Sequence, residues 1–356
     1  MQQAHLGTLS GVRNAPRDAT VGGSTGAARA QAVRSWRRRA REARILAGMD
    51  DRLELVHTQA VTPLGVVPSR ARSLQRVRRG AYVDAAAHGD ATPEARYLAR
   101  IRAVALARPG IVMALESAAI LHGLPIGLEP AYVFSTGDPS MSGARAGVRS
   151  SHLPIPPEHV AEVDGIRCSS VAWTLADLGR RRGPLEAVPA MDAALRDRFA
   201  TSDDVEHALA AQSTRGRARA RWSNAFANAG AESVGESRSR VAIALLGFPA
   251  PELQVVVRTT IGEVRADFGW RLDDGLLVGE FDGLVKYGTL AAAAGRSGTD
   301  ALVAEKRRED ALRRVARVCR WTWDDVLHPA RLRAILLAAG LPHRDAVLPP
   351  GVRWRA

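Results

Sequence analysis

Between residues 253 and 282 the chain has three short runs rich in apolar and β-branched residues, LQVVVRT (253–259), VRADFGW (264–270) and LLVGEFD (276–282), of which the second alternates strictly. A side-chain period of two is the mark of β-strands. The breaks at Ile261-Gly262 and Asp273-Asp274-Gly275 are short and carry glycine, so the strands are predicted to be joined by tight hairpin turns. Residues 236–246 place Val241, Ile243, Ala244 and Leu245 among polar residues and stop at Gly247, which predicts an amphipathic helix. Residues 300–317 have helical periodicity, VCRWTW (318–323) reads as a buried strand, and a closing helix is predicted over 329–339. The order is helix, three strands, helix, strand, helix.

Two of these strands carry carboxylates in otherwise apolar surroundings. Asp267 lies in the second strand and Glu280 in the third, and neighbouring strands stand about 5 Å apart, so both acids can address one divalent cation. Alternation puts Asp282 on the face of Glu280 and turns Phe281 the other way. Hard cations such as Mg²⁺ or Mn²⁺ take oxygen ligands and acidify a bound water, which suits phosphodiester hydrolysis. Glu236 is a candidate further carboxylate, and Lys286 a candidate cation for charge developing on phosphorus. In EKRRED (305–310), Glu305 and Arg308 share a helix face, where Arg308 can meet a phosphate or orient a carboxylate. A solvated acidic strand end and a salt-bridged helix face remain the plain alternatives.

At roughly 150 residues per domain, 356 residues predict about two domains. The net charge of +13 points to a polyanionic partner. Nine arginines against Asp18 and Glu42 within residues 1–48 supply +7 of it. This segment lacks an apolar period and reads as a disordered basic tail, or as sequence ahead of a true start at Met49. Cys168 and Cys319 lie about 150 residues apart without zinc spacing, and no apolar run spans a membrane, so a cytoplasmic protein is expected.

Residues 49–90 are predicted to hold a short helix (51–58), a second helix opening near Ser69, and the basic run QRVRRGAYV (75–83). That is the pattern of the last helix and wing of a winged-helix module, with Arg76, Arg78 and Arg79 facing nucleic acid or merely solvent. Residues 91–213 form a mixed region: helices over 93–107, 113–122, 172–178 and 184–195, and strands over 131–134 and 165–168. His122, at a helix end before Gly123 and Pro125, reads as a capping or packing residue. Residues 214–232 are a linker or helix, and 233–356 the carboxylate-bearing domain.

GESRSR, VRADFGW, VGEFDGLVKYG, EKRREDALR and VCRWTWDDV resemble the conserved blocks of an actinobacterial group. Its C-terminal domain belongs to the DUF559 and very-short-patch-repair endonuclease branch of the PD-(D/E)xK superfamily. RVRRGAYV, ESAAILHGLP and SSVAWTLADLGRR resemble the N-terminal region of AbiEi-type, type IV antitoxin-like regulators. The resemblance implies an α/β (α+β multi-domain) chain whose winged-helix-like N-terminal part precedes a restriction-endonuclease-like αβββαβ core. It puts the superfamily's acidic strand residue on Asp267 and its Glu on Glu280. The lysine expected two places later is Asp282 here, with Lys286 the nearest substitute. It further implies Mg²⁺ or Mn²⁺ as cofactor and DNA as partner, and it admits a cognate toxin and a homodimer. A Mg²⁺-dependent DNA endonuclease or nuclease-like defence or repair protein is the leading expectation. The alternative is a non-catalytic DNA-binding regulator of the antitoxin type, and beyond both an unrelated α/β protein.

Overall fold

The computed structural model describes residues 53–58, 69, 71–127, 129–137, 143–283, 298–346, 348 and 351–352. Within them the chain is a mixed α/β, multi-domain protein built on three sheets. None of the described helices is long and apolar enough to cross a membrane.

The first sheet has the order β1-β3-β2, with β1 (Val56–His57), β2 (Leu74–Arg78) and β3 (Ala81–Asp84) all antiparallel. The basic run is therefore two strands, reversed at Gly80, whose φ of 81° suits a residue without Cβ. The helix predicted over 51–58 is not formed in its described part, where Val56 instead pairs with Tyr82. The free edge of β3 offers those residues a hydrogen-bond ladder that a helix of about two turns cannot match. Asp84 caps α1 (Ala85–Asp90), and Thr92 caps α2 (Pro93–Ala107), whose proline at the first position and Glu94 favour initiation.

The second sheet has six strands: β4 (Val112–Met113), β5 (Val133–Thr136), β6 (Gly143–Arg145), β7 (Val148–Ser151), β8 (Val160–Val163) and β9 (Ile166–Ser169), in the order β6-β7-β5-β4-β9-β8. Runs of two to four residues carry too little alternation to be read from sequence, which showed only two of the six. Helices α3 (Leu115–Leu121), α4 (Val171–Arg181), α5 (Pro184–Arg196), α6 (Ser202–Ala211) and α7 (Arg217–Phe226) complete this region. Their shared core includes Leu124, Leu175, Met191 and Leu209. His122 ends α3 as its C-cap and its Nε2 lies 2.6 Å from the Ser169 carbonyl oxygen.

The third sheet lies in the unit that opens with α8 (Val234–Leu245). Strands β10 (Glu252–Thr259), β11 (Gly262–Leu272) and β12 (Gly275–Asp282) form an antiparallel meander. After α9 (Gly298–Arg313), β13 (Arg317–Thr322) joins β12 in parallel, and α10 (Trp323–Leu327) and α11 (Pro329–Ala338) follow. The helix, three-strand, helix, strand order is the one the sequence predicts. β12 is covered on both sides: Leu277 packs in a cluster with Phe268, Trp270, Trp321 and Leu336, while Val278 packs with Leu312 of α9.

α8 departs from the amphipathic expectation, since Glu236, Ser237, Arg238, Ser239 and Arg240 are all buried. The helix is wedged between the sheet and α5. Trp321 donates its Nε1–H to Ser239 Oγ at 2.8 Å on one side. On the other, Arg240 meets the fully buried Asp192 at 2.8 Å and Arg238 meets Glu186 at 3.2 Å. Buried charges persist only when paired and hydrogen-bonded, and here each cation finds its acid on α5.

Candidate active site

β11 and β12 pair in register up to Phe268 opposite Gly279. Asp267 is the next residue of β11, and its side chain takes over from the ladder: Oδ2 accepts the Phe281 N–H at 2.9 Å. Burial pushes its carboxyl up to about 6, helped by the negative charges of Glu236 and Glu280 and opposed by the Phe281 N–H and Arg308. Three acids from α8, β11 and β12 therefore share one electrostatic environment.

Glu236 enters from the first turn of α8, where Ser233 caps the helix by accepting the Glu236 N–H at 3.1 Å. Its Oε2 accepts from the Glu232 N–H and from Gln254 Nε2, both at 2.9 Å. Gln254 was not expected from the sequence. It stands in β10 between Leu253 and Val255, which pair with Phe268 and Ala266, so it lies across from Asp267. Its φ of 52° is left-handed, a conformation that non-glycine residues avoid within strands. In LQVVVRT the residue looks like an ordinary outward polar position, and no sequence signal marks it.

Glu280 is buried and sits in register with Arg320 of β13. Its two oxygens are held separately: Oε1 accepts from Arg308 Nη2 at 2.6 Å, and Oε2 lies 2.6 Å from Arg320 Nη2. Glu305 bridges the same two guanidinium groups, at 3.1 Å from Arg308 and 2.9 Å from Arg320. Asp282 shares the face of Glu280, with Oδ2 4.0 Å from Arg320 Nη1. Arg320 was also missed by sequence reasoning, because its role depends on β13 lying beside β12. Arg308 lies in the site, whereas Lys306 and Asp310 of the same helix are exposed. Lys286 lies outside the described residues.

The donor set is all oxygen, which suits a hard divalent cation. Such a cation would offset the burial, and with it the repulsion from Glu236 and Glu280, that raise Asp267. Among the described residues, Asp267 Oδ1 and Glu236 Oε1 accept no protein hydrogen bond, so they are the oxygens open to it. Glu280 fits only after its arginines let go, and no three His, Cys, Asp or Glu among the described residues are spaced to hold a metal.

The basic ribbon belongs to the first sheet. Arg76 and Arg79 are exposed; Arg78 donates to the Ala146 carbonyl at 3.1 Å, and partial burial together with Arg108 lowers its pKa.

No family model matches the chain. The uncharacterized proteins MT2308 and Rv2248 from two strains of Mycobacterium tuberculosis are each 36% identical to it over 110 residues, 30% of this chain and 41% of theirs. The chain thus aligns with less than half the length of these relatives. A crystal structure of the RV2827C protein from Mycobacterium tuberculosis covers 58% of this chain and 80% of its own, at 17% identity and a TM-score of 0.33.

Proposed function

We propose that the α8–β13 unit is a phosphodiester-hydrolysing nuclease site of the PD-(D/E)xK kind, acting on DNA with Mg²⁺ or Mn²⁺. One observation carries the reading: a half-buried Asp267, raised by burial and by the charges of Glu236 and Glu280, gathered with a Glu280 that is held between Arg308 and Arg320. Acids are driven together against their own repulsion where a cation or a proton is to be held. In this reading Asp267 and Glu236 bind the cation, joined by Glu280. The cation supplies Lewis acidity and an activated water.

The residues of the chain divide the remaining work. Gln254 fixes Glu236 Oε2, and the Phe281 N–H fixes Asp267 Oδ2, so each carboxylate offers its other oxygen. Arg308 and Arg320 neutralise Glu280 at rest and offer planar, bidentate donors to the phosphate that displaces it. Buried Cys168 and Cys319, both free thiols, accord with the cytoplasmic setting.

A second reading draws on the same arginines. With both Glu280 oxygens bound and Asp282 where the superfamily has lysine, the unit can instead be a non-catalytic module of an antitoxin-type DNA-binding regulator. The test is incubation of the full chain with supercoiled and single-stranded DNA, with and without Mg²⁺ or Mn²⁺. Metal-dependent nicking absent from Asp267→Asn supports the nuclease. DNA binding without cleavage under every condition favours the regulator.

A further inference from the structure

The middle region contains a cavity of ≈ 770 Å³ that the carboxylate cluster does not use. Its floor is the carboxyl end of two parallel neighbours, β5 and β7, where the pairs Ser135–Ser150 and Thr136–Ser151 bring four hydroxyl residues into the lining. Ligands of open α/β sheets bind beyond the carboxyl ends of the strands. The wall is cationic. Arg149 on β7 and Arg180, Arg181 and Arg182 at the end of α4 face one acid, Asp177, among the described lining residues.

These arginines are not equivalent. Arg180 is spent on Asp177 and Gln212, and Arg182 on Glu116. Arg149 is exposed, lies over the Tyr132 ring at 4.9 Å and pairs with no carboxylate among the described residues. Arg181 touches Asp177 at 3.3 Å, yet 41% of its side chain is exposed. Two guanidinium groups therefore have donors to spare. The rest of the lining mixes apolar residues, including Trp173, Phe134 and Pro154, with the polar His152, Gln212 and Ser213.

A second observation falls on the same cavity. Leu115, part of its lining and buried, has a φ of 51° at the junction of β4 and α3. L side chains avoid this left-handed backbone, and strain of that kind persists where the surroundings hold a site in shape.

We propose that this cavity binds a small phosphate-bearing ligand with a planar body, of the nucleoside monophosphate class. The phosphate meets Arg149 and Arg181, and the body lies against the apolar part of the lining around Leu153, Pro154 and Ile155. The size is within the range that encloses such ligands, roughly 300–1,000 Å³. The inference is independent of the nuclease reading.

Thermal melting of the full chain with adenosine, guanosine, cytidine and uridine 5′-monophosphates tests it, with inorganic phosphate and adenosine as comparison ligands. At least one nucleotide is expected to raise the Tm saturably, phosphate to do so more weakly, and adenosine not at all. The Arg149→Ala/Arg181→Ala variant changes two exposed side chains. It is expected to lose about tenfold or more in affinity while melting normally without ligand. Arg149→Glu alone provides the same test should the double variant melt early. Asp267→Asn is expected to keep the shift. No saturable shift with any nucleotide, an undiminished shift in the arginine variants, or its loss in Asp267→Asn overturns the proposal.

Discussion

Replacing Asp267 by asparagine isolates the electrostatic cost of burying this carboxylate beside two other acids. In the folded chain this carboxyl is raised from 3.8 to about 6, chiefly by burial. The folded state therefore holds a proton that the unfolded state has already released between about pH 4 and pH 6. Stability is lost as pH rises through that window and is level above it. Each tenfold change in proton affinity is worth about 1.4 kcal/mol, so the ionised group costs the folded chain about 3 kcal/mol. Water around the half-buried side chain screens this to about 2 kcal/mol. Asparagine keeps the shape and accepts the Phe281 N–H through its amide oxygen, while the charge is gone. Asp267→Asn is expected to be more stable than wild type by about 2 kcal/mol at pH 7.5 and nearly equal to it at pH 4. Urea unfolding followed by tryptophan fluorescence measures the gap, since Trp270 and Trp321 pack in the adjoining core. A gap that does not change with pH, or a less stable variant at pH 7.5, refutes the reasoning.

Asp192→Ala strands the buried Arg240 without its acid and is expected to cost about 3–5 kcal/mol. Glu232→Ala, which removes the exposed partner of Arg265, is expected to cost under about 1 kcal/mol by the same denaturant assay, and equal losses would contradict the burial argument. Gln254→Gly is expected to be more stable than Gln254→Ala by about 1 kcal/mol, because glycine accepts the left-handed backbone. Equal stability of the two would show that the strain at Gln254 is not felt.

The C-terminal order of elements was legible because its strands are long enough for alternation to count: β10, β11 and β12 have 8, 11 and 8 residues. The acids were legible for a related reason, since Asp267 and Glu280 interrupt apolar strands. What local pattern could not convey was the partner of each charge. Arg320 reaches Glu280 only because β13 runs parallel to β12 in one register, and that is a long-range fact. The same holds for α8, whose polar run looks solvated until α5 supplies Glu186 and Asp192. In the six-stranded sheet, strands of two to four residues gave no period to read, so only β5 and β9 were foreseen. In its described residues the helix expected over 51–58 gave way where a helix of about two turns competed with a free strand edge.

Titration of Mn²⁺ into the wild type and into Asp267→Asn, by isothermal calorimetry at pH 5.5 and pH 7.5, tests most directly whether Asp267 organises a cation-dependent centre. The wild type is expected to bind, and to release more protons at pH 5.5, where Asp267 is still largely protonated, than at pH 7.5. Asp267→Asn is expected to give no binding at either pH. No heat of binding in the wild type, or the same isotherm in both proteins, would contradict the account.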